Sequence, residues 1–290
     1  MILTLPCTLF ILAGCYEKVD WDFPPFDSKP VMNSILVAGS PLRVHVSLAV
    51  PYKAEESVIV EGAEVRLYID GVYAETLVYQ EEGYYQSQLV TEVDKEYVCE
   101  VHVGNFPMVR GATSIPKPGK ILDIEYIHIA GTDEEGIAYP ALKLTFKNNP
   151  EIFTCHEVII NTYRRYGEVG QRYNRARVIN YTDPILLNEG LPITVFSNEI
   201  IEDDSYTMTI NYTTGLIRHD YVPFRVEFRT VCQNYYKYAR QLYLYEYYSE
   251  EPFFTGGVLT PFTLYSNVEN GYGIFAGFSS VTSAVINPEE

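Results

Sequence analysis

The chain has 290 residues and a formal charge of −17, with 38 acidic against 21 basic side chains. That acidity excludes nucleic acid as a partner and electrostatic adhesion to an anionic membrane, while the length suffices for two ordinary domains or one large β domain. Aromatics are abundant and lopsided, 26 Tyr and 14 Phe with one Trp; Tyr suits strands and wet binding surfaces alike, because its ring is apolar and its tip polar.

Residues 2 to 13 are almost wholly apolar, in the context MILTLPCTLFILAGCYEKVDWDFPPF. Twelve residues rise only about 18 Å as a helix, well short of the roughly 30 Å hydrocarbon core. The run therefore reads as the core of a signal peptide over residues 1–14 and not as a membrane span, although no Lys or Arg precedes it. Ala13 and Gly14 are small enough to admit a peptidase to the backbone, and Cys15 offers a thiol for acylation. Leu12-Ala13-Gly14-Cys15 resembles the bacterial lipobox, in which that cysteine is lipidated and becomes the new first residue. The expected product is a body of 276 residues anchored to a membrane through lipid on Cys15. Each buried methylene adds about 0.8 kcal/mol, so several acyl chains on one cysteine make the anchor effectively permanent.

Residues 15–30 continue as an acidic, proline-rich stretch without periodicity. Such a segment is a tether that favours extended conformations, reaching about 50 Å at full stretch.

Strand signals follow. In LRVHVSLAV, Leu42, Val44, Val46, Leu48 and Val50 alternate with Arg43, His45, Ser47 and Ala49, a period of two that sends one face into a core. Ala63, Val65, Leu67 and Ile69 repeat the pattern, and Asp70-Gly71 closes it as a hairpin turn. VYAETLVY, GYYQSQLV and EYVCEVHV are further strands separated by short acidic or glycine turns. Strands so spaced, with no helix between them, indicate an immunoglobulin-like antiparallel β-sandwich over residues 31–115. EGAEVRLYIDG followed by EEGYYQS is similar to the immunoglobulin-like or carboxypeptidase-regulatory-like modules of secreted bacterial proteins, a likeness of fold alone.

Cysteine usage is informative by subtraction. Cys7 leaves with the signal and Cys15 takes lipid, so Cys99, Cys155 and Cys232 remain, too few for a complete disulfide framework. Cys99 shares a strand face with Tyr97, Val101 and Val103 and reads as core. All three read as buried free thiols, the alternative being one bridge and one thiol.

Ile115-Pro116-Lys117-Pro118-Gly119 breaks the pattern and marks a domain boundary. A second β-rich domain is expected over 120–290, with strands in ILDIEYIHIA, ALKLTFKN, CHEVIINTY, SYTMTINY and VPFRVEFRT. In the last, Val222, Phe224, Val226 and Phe228 face one way and Arg225, Glu227 and Arg229 the other. Between these strands lies TYRRYGEVGQRYNRARV, where Arg164, Arg165, Arg172, Arg175 and Arg177 are interleaved with Tyr163, Tyr166 and Tyr173. Arg and Tyr are enriched at binding hot spots, because a planar guanidinium pairs carboxylates or phosphates bidentately and stacks on rings. The hairpin is thus a candidate contact for an acidic partner or for lipopolysaccharide phosphate. Its alternative is a solvated turn around Gly167 to Gly170.

The period then changes. Val231, Tyr235, Tyr238, Leu242 and Tyr245 recur at helical spacing, and Thr230 with Gln233 forms a capping-box start, predicting one substantial helix over 231–249. Its second face carries Tyr236, Arg240, Tyr243 and Tyr247. Tyr236, Tyr243 and Tyr247 would make a platform for sugar or peptide if that face meets solvent, and are structural if both faces are buried.

Enzymatic signatures are absent from the sequence: no Gly-x-Ser-x-Gly elbow, no His-Glu-x-x-His, no phosphate-cradling loop and no dinucleotide fingerprint. No catalytic residue, metal or cofactor is therefore expected. His45, His102, His128, His156 and His219 are scattered and read as structural. Asp133-Glu134-Glu135 and Asp203-Asp204 are possible calcium donors but are equally well solvated turns. A glycosidase carboxylate pair is defined in space and not by sequence spacing.

Near the end, PFTLYSNVENGYGIFAGFS places Asn267 and Asn270-Gly271 before Gly273-Ile274-Phe275. Together with the lipobox, the early segment SILVAGSPLRVHVSL and the tyrosine-rich NYYKYARQLY helix, this segment resembles the Bacteroidota lipoproteins catalogued as domain of unknown function 4249, over nearly the whole mature chain. Gly271 and Gly273 are expected to permit a tight turn between strands. The resemblance implies a neighbour and a place, since these lipoproteins are usually encoded beside TonB-dependent outer-membrane transporters: the outer membrane, with the body held through Cys15 and facing the cell surface or the periplasm. The leading expectation is a non-enzymatic accessory to such a transporter in nutrient capture or gating. A structural or adhesive surface module is the second, and a carbohydrate or peptide hydrolase the third.

Overall fold

The structure, a computed structural model, describes residues 26–51, 58–165, 171–213, 222–250 and 264–288, with backbone alone at 164–165, 171–172 and 248–250. The expected signal peptide, Cys15, most of the tether, Tyr166 and His219 lie outside the described residues. The protein is mainly β, with several antiparallel sheets and, among the described residues, two helices.

Nine strands precede the 115–119 break: β1 (Pro30–Val37), β2 (Pro41–Leu48), β3 (Val58–Ile59), β4 (Glu64–Ile69), β5 (Val72–Thr76), β6 (Val78–Tyr79), β7 (Tyr84–Val90), β8 (Glu96–His102) and β9 (Val109–Ser114). After it come β10 (Ile121–Thr132), β11 (Ala138–Lys147), β12 (Cys155–Arg165), β13 (Gln171–Arg175), β14 (Arg177–Val178), helix α1 (Pro184–Asn188), β15 (Val195–Ser197), β16 (Ser205–Thr213), β17 (Phe224–Val231), helix α2 (Gln233–Glu250), β18 (Val268–Glu269) and β19 (Tyr272–Thr282). The alternating apolar residues behave as the period requires: Leu42, Val44 and Val46 are buried while Arg43 is exposed. Asp70 and Gly71 both take positive φ, the geometry of a type I′ hairpin turn.

One long sheet, in the order β13-β12-β17-β19-β1-β2-β7-β6, spans both halves of the chain. Two smaller sheets, β18-β9-β8-β4-β5 and β10-β11-β16-β14, close two separate cores against it. The first core gathers Met32, Leu36, Val44, Leu67, Tyr85, Tyr97 and Cys99; the second gathers Leu144, Phe146, Val158, Phe196, Phe224 and Phe228. The cores fall on either side of 115–119. The sheet does not: β19 lies parallel to β1, from Val31 opposite Tyr272 to Val37 opposite Phe278, and antiparallel to β17. Phe275 thereby enters the first core, so the first sandwich is completed by a strand from the far end of the sequence.

The Asn-Gly segment explains how β19 gets there. Asn267 accepts from the Phe275 N–H at 2.9 Å and donates to the Phe275 carbonyl at 2.8 Å. Asn270 turns at φ 58° and donates to the Met108 carbonyl at 3.0 Å. At Gly273, φ is +119° and a Cβ would strike the Met32 carbonyl oxygen, so glycine is required for β19 to lie beside β1.

On the face of the long sheet opposite the cores lies α2. Tyr235 and Tyr236 pack with Ile35, Val37, Cys155, Val231 and Phe278. The helix starts at Gln233, two residues later than expected, and the capping box does not form: the Thr230 hydroxyl instead accepts from the Gly119 N–H at 2.8 Å. Strand β17 continues through Val231 because that residue still pairs with Cys155. Cys99 and Cys155 are buried free thiols, as read; Cys232 is free but only half-buried. Burial pushes the Cys155 thiol up to about 12, which keeps it protonated and unreactive.

Candidate functional site: a cleft beside the tyrosine helix

The helix-bearing face of the long sheet is where charge collects. Glu157 of β12 stands directly opposite Arg229 of β17. Burial of this carboxylate, only 3% exposed, is compensated on both oxygens: Arg175 donates to one at 3.0 Å, and Arg229 and the Tyr235 hydroxyl donate to the other at 3.1 and 2.7 Å. Arg229 also reaches Glu227 at 2.7 Å and lies 4.3 Å from the Phe278 ring centroid. Further along the same face, Tyr163 and Tyr173 form a cross-strand pair at 5.2 Å, with the Arg225 guanidinium 4.0 Å from the Tyr173 centroid.

A second buried carboxylate, Glu189, sits just past the end of α1. It accepts from the Ser197 N–H at 2.7 Å, from the Tyr236 hydroxyl at 2.5 Å and from Arg240, whose other nitrogen donates to the Glu189 carbonyl at 2.8 Å. Burial, reinforced by the bond to Glu189, pushes the Tyr236 phenol up to about 12. Tyr236 and Arg240 therefore fasten α2 to the sheet, and the structural reading of the helix's second face holds for them. A third buried carboxylate, Asp183, caps α1 through the Ile185 N–H and also takes the Thr209 N–H and the Tyr206 hydroxyl.

Further down the helix the second face opens. Tyr243 and the exposed Tyr247 stack with centroids 6.2 Å apart. Tyr243 borders a cleft of about 660 Å³ whose other walls are residues 175–181 and 192–194. Strand geometry explains this meeting. Arg175 ends β13 on the long sheet, Ala176 turns into the second core, and Arg177 begins β14 on the small sheet opposite. The chain crosses between sheets at Ala176, so Arg175 and Arg177 are both exposed on the same side of it. Tyr181, whose hydroxyl is pushed up to about 12 by burial and by Tyr243, is pulled back by both arginines.

Of the residues singled out from sequence, the structure thus brings Arg175, Arg177 and Tyr243 to one cleft. Tyr173 stays on the sheet under Arg225, and Tyr236 is committed to Glu189. Arg164 and Arg172 are opposite each other on the β12–β13 ladder, and Arg165 lies at its end opposite Gln171. Sequence reading missed Glu157, Glu189, Tyr181 and Arg229. For Glu157 the signal was a lone acid inside an apolar strand, facing the Arg229 strand; for Glu189, in a loop, there was none. His156 is buried and stacked on Phe228 at 4.8 Å, and burial lowers it to about 4, as befits a structural histidine. Among the described residues no group of three or more His, Cys, Asp or Glu is placed to hold a metal. Asp133 instead folds its own turn, accepting from the Glu135 and Ile137 N–H groups. No described helix is long and apolar enough to cross a membrane.

Fold and site define a two-core β-sandwich protein joined by one shared sheet, with an arginine–tyrosine cleft beside its helix. The chain belongs to the family described as Domain of unknown function (DUF4249), whose model matches residues 16–284. No curated protein matches it.

Proposed function

We propose that the chain is an outer-membrane lipoprotein held by Cys15, acting without catalysis as an accessory to a TonB-dependent transporter in nutrient capture or gating. The observation that carries a binding role is the convergence of Arg175, Arg177, Tyr181 and Tyr243 on one open cleft. The buried carboxylates Glu157, Glu189 and Asp183 speak for the same reading, since each is already occupied by several donors within the fold. The lipobox-like segment supports the anchor, and confinement beside a transporter raises effective concentration so that a weak interface stays occupied.

Replacing Cys15 by Ser is expected to release the protein from membranes in detergent partitioning. Recovery of the transporter from solubilised outer membrane, identified by mass spectrometry, tests the partner. Substituting Arg164, Arg165, Arg172, Arg175 and Arg177 by Gln is expected to reduce that recovery, and salt to weaken the wild-type complex in the same direction. Unchanged partitioning of Cys15→Ser refutes the anchor. Equal recovery by the folded five-Gln variant at all salt concentrations refutes the interface.

A further inference from the structure

The 660 Å³ cleft has the size of a small-molecule site, and its charge runs against that of the molecule. On a chain of formal charge −17, its walls hold two arginines and no carboxylate among the described residues. The acidic residues 133–135 line the adjoining cleft of about 500 Å³, which shares Arg177, Ile179 and Asn180 with this one. Residues 177–180, β14 and the two residues after it, thus divide two clefts of opposite character.

The two guanidiniums are prepared differently. One nitrogen of Arg175 is held by Glu157 at 3.0 Å and lies 3.4 Å from the Thr194 hydroxyl, yet the side chain remains 57% exposed. Its orientation is therefore set by a buried anchor before any ligand arrives, which lowers the entropy lost on binding. Arg177 makes no ion pair among the described residues. Around them stand flat and apolar surfaces, Tyr243, Tyr181, Pro192 and Ile193, with the Asn180 amide and Thr194 hydroxyl as neutral polar groups.

We propose that this cleft binds a small carboxylate carried on a ring, the carboxylate between Arg175 and Arg177 and the ring against Tyr243. A single guanidinium can meet the planar anion through two parallel N–H···O contacts and a second can share its oxygens, and the tyrosine face covers a ring while its hydroxyl and the neighbouring amide meet polar substituents. Two sources share this chemistry, a sugar acid and an aromatic acid. The site goes beyond the accessory role, for it needs no transporter to be occupied.

Calorimetric titration of the purified full chain in detergent tests it, with a hexuronate oligosaccharide and a benzoate-type acid as probes. Their neutral counterparts, the parent oligosaccharide and the carboxamide, and inorganic phosphate serve as comparisons. Saturable binding is expected for at least one of the two acids, with its neutral counterpart and phosphate at least tenfold weaker. Arg177→Gln and Tyr243→Ala, neither of which touches the Glu157 or Glu189 networks, are each expected to weaken that acid at least tenfold while the unfolding midpoint stays put. Which acid binds tells sugar from aromatic. No heat with either acid up to millimolar concentration, equal binding of a neutral counterpart or of phosphate, or full affinity in both folded variants overturns the proposal. Because no transporter is present, its failure leaves the accessory reading standing.

Discussion

The two cores of this protein are built on different principles. Around the first, the buried polar residues are hydroxyls, Ser34, Ser47, Ser87, Thr91 and Thr113, and the packing is chiefly Val and Leu. Beside the second lie Asp183, His156, Asn148, Asn198 and Asn211 and a ring cluster of Phe146, Phe196, Phe224 and Phe228, and on the helix-bearing face of the same half lie Glu157 and Glu189, the other two carboxylates buried among the described residues. An aliphatic core is held by area removed from water and tolerates change gradually. A half braced by buried ionised groups is held conditionally, since each charge is favourable only while all its partners remain. The cleft sits on the conditional half, and Glu157 takes part both in the seating of α2, through Tyr235, and in the cleft's geometry, through Arg175.

That contrast can be broken experimentally. The largest effect is expected for Glu157→Ala, which takes one of two carboxylates from Arg229 and the shared acceptor from Arg175 and the Tyr235 hydroxyl; the loss should be about 3–5 kcal/mol by denaturant unfolding. A loss below about 1 kcal/mol would show that Glu227 alone suffices for Arg229 and that the second half is no more conditional than the first.

A somewhat smaller effect is expected from acid. Burial holds His156 near 4 against an ordinary value of 6.5, so between those values the unfolded chain takes up a proton that the folded one refuses. Stability from this group is complete above pH 6.5, falls as the pH drops, and is fully lost below about 4, in total on the order of 3 kcal/mol. In His156→Phe, whose ring suits the surrounding aromatics, the difference in unfolding free energy between pH 7 and pH 4.5 should shrink accordingly. An unchanged difference would assign the acid sensitivity to the carboxylates.

The smallest effect sharpens the comparison from the other side. In the first core the Tyr85 hydroxyl accepts from the Ala63 N–H and donates to the Val60 carbonyl, both at 2.9 Å. Tyr85→Phe removes only this neutral pair of bonds and should cost about 1–2 kcal/mol, measured as a shift in urea midpoint with no change in pH dependence.

The same division governs what could be read without a structure. Alternation exposes an aliphatic core directly, so the strands around Leu42 to Val46 and Val65 to Leu67 were found with their buried faces, as was the Asp70-Gly71 turn. The β17 strand was equally plain, with Phe224, Val226 and Phe228 buried as read. Hidden were the features that depend on distant partners. Thr230 looked like a cap because its local sequence fits one, but Gly119, 111 residues away, claims its hydroxyl. Glu189 carries no local signal, for its partners Ser197, Tyr236 and Arg240 come from β15 and α2. For the cleft, residue types were legible and the meeting was not: nothing in the spacing of Arg175, Arg177 and Tyr243 indicates that the chain changes sheets at Ala176 and turns them toward each other.

The parallel pairing of β1 with β19 has a bearing on the order of events as the chain folds. Asn33 accepts from the Ile274 N–H across 241 residues of sequence, in the middle of the longest sheet. Closing so large a loop is slow compared with forming hairpins, because the entropy of bringing its ends together precedes any reward from contact. Until residues 272–282 are available, β1 has a bare inner edge, β17 lacks its neighbour, and Phe275 is missing from the first core. A growing chain therefore gains its hairpins early but neither sandwich is finished until this strand is threaded between them, and the two halves become native together.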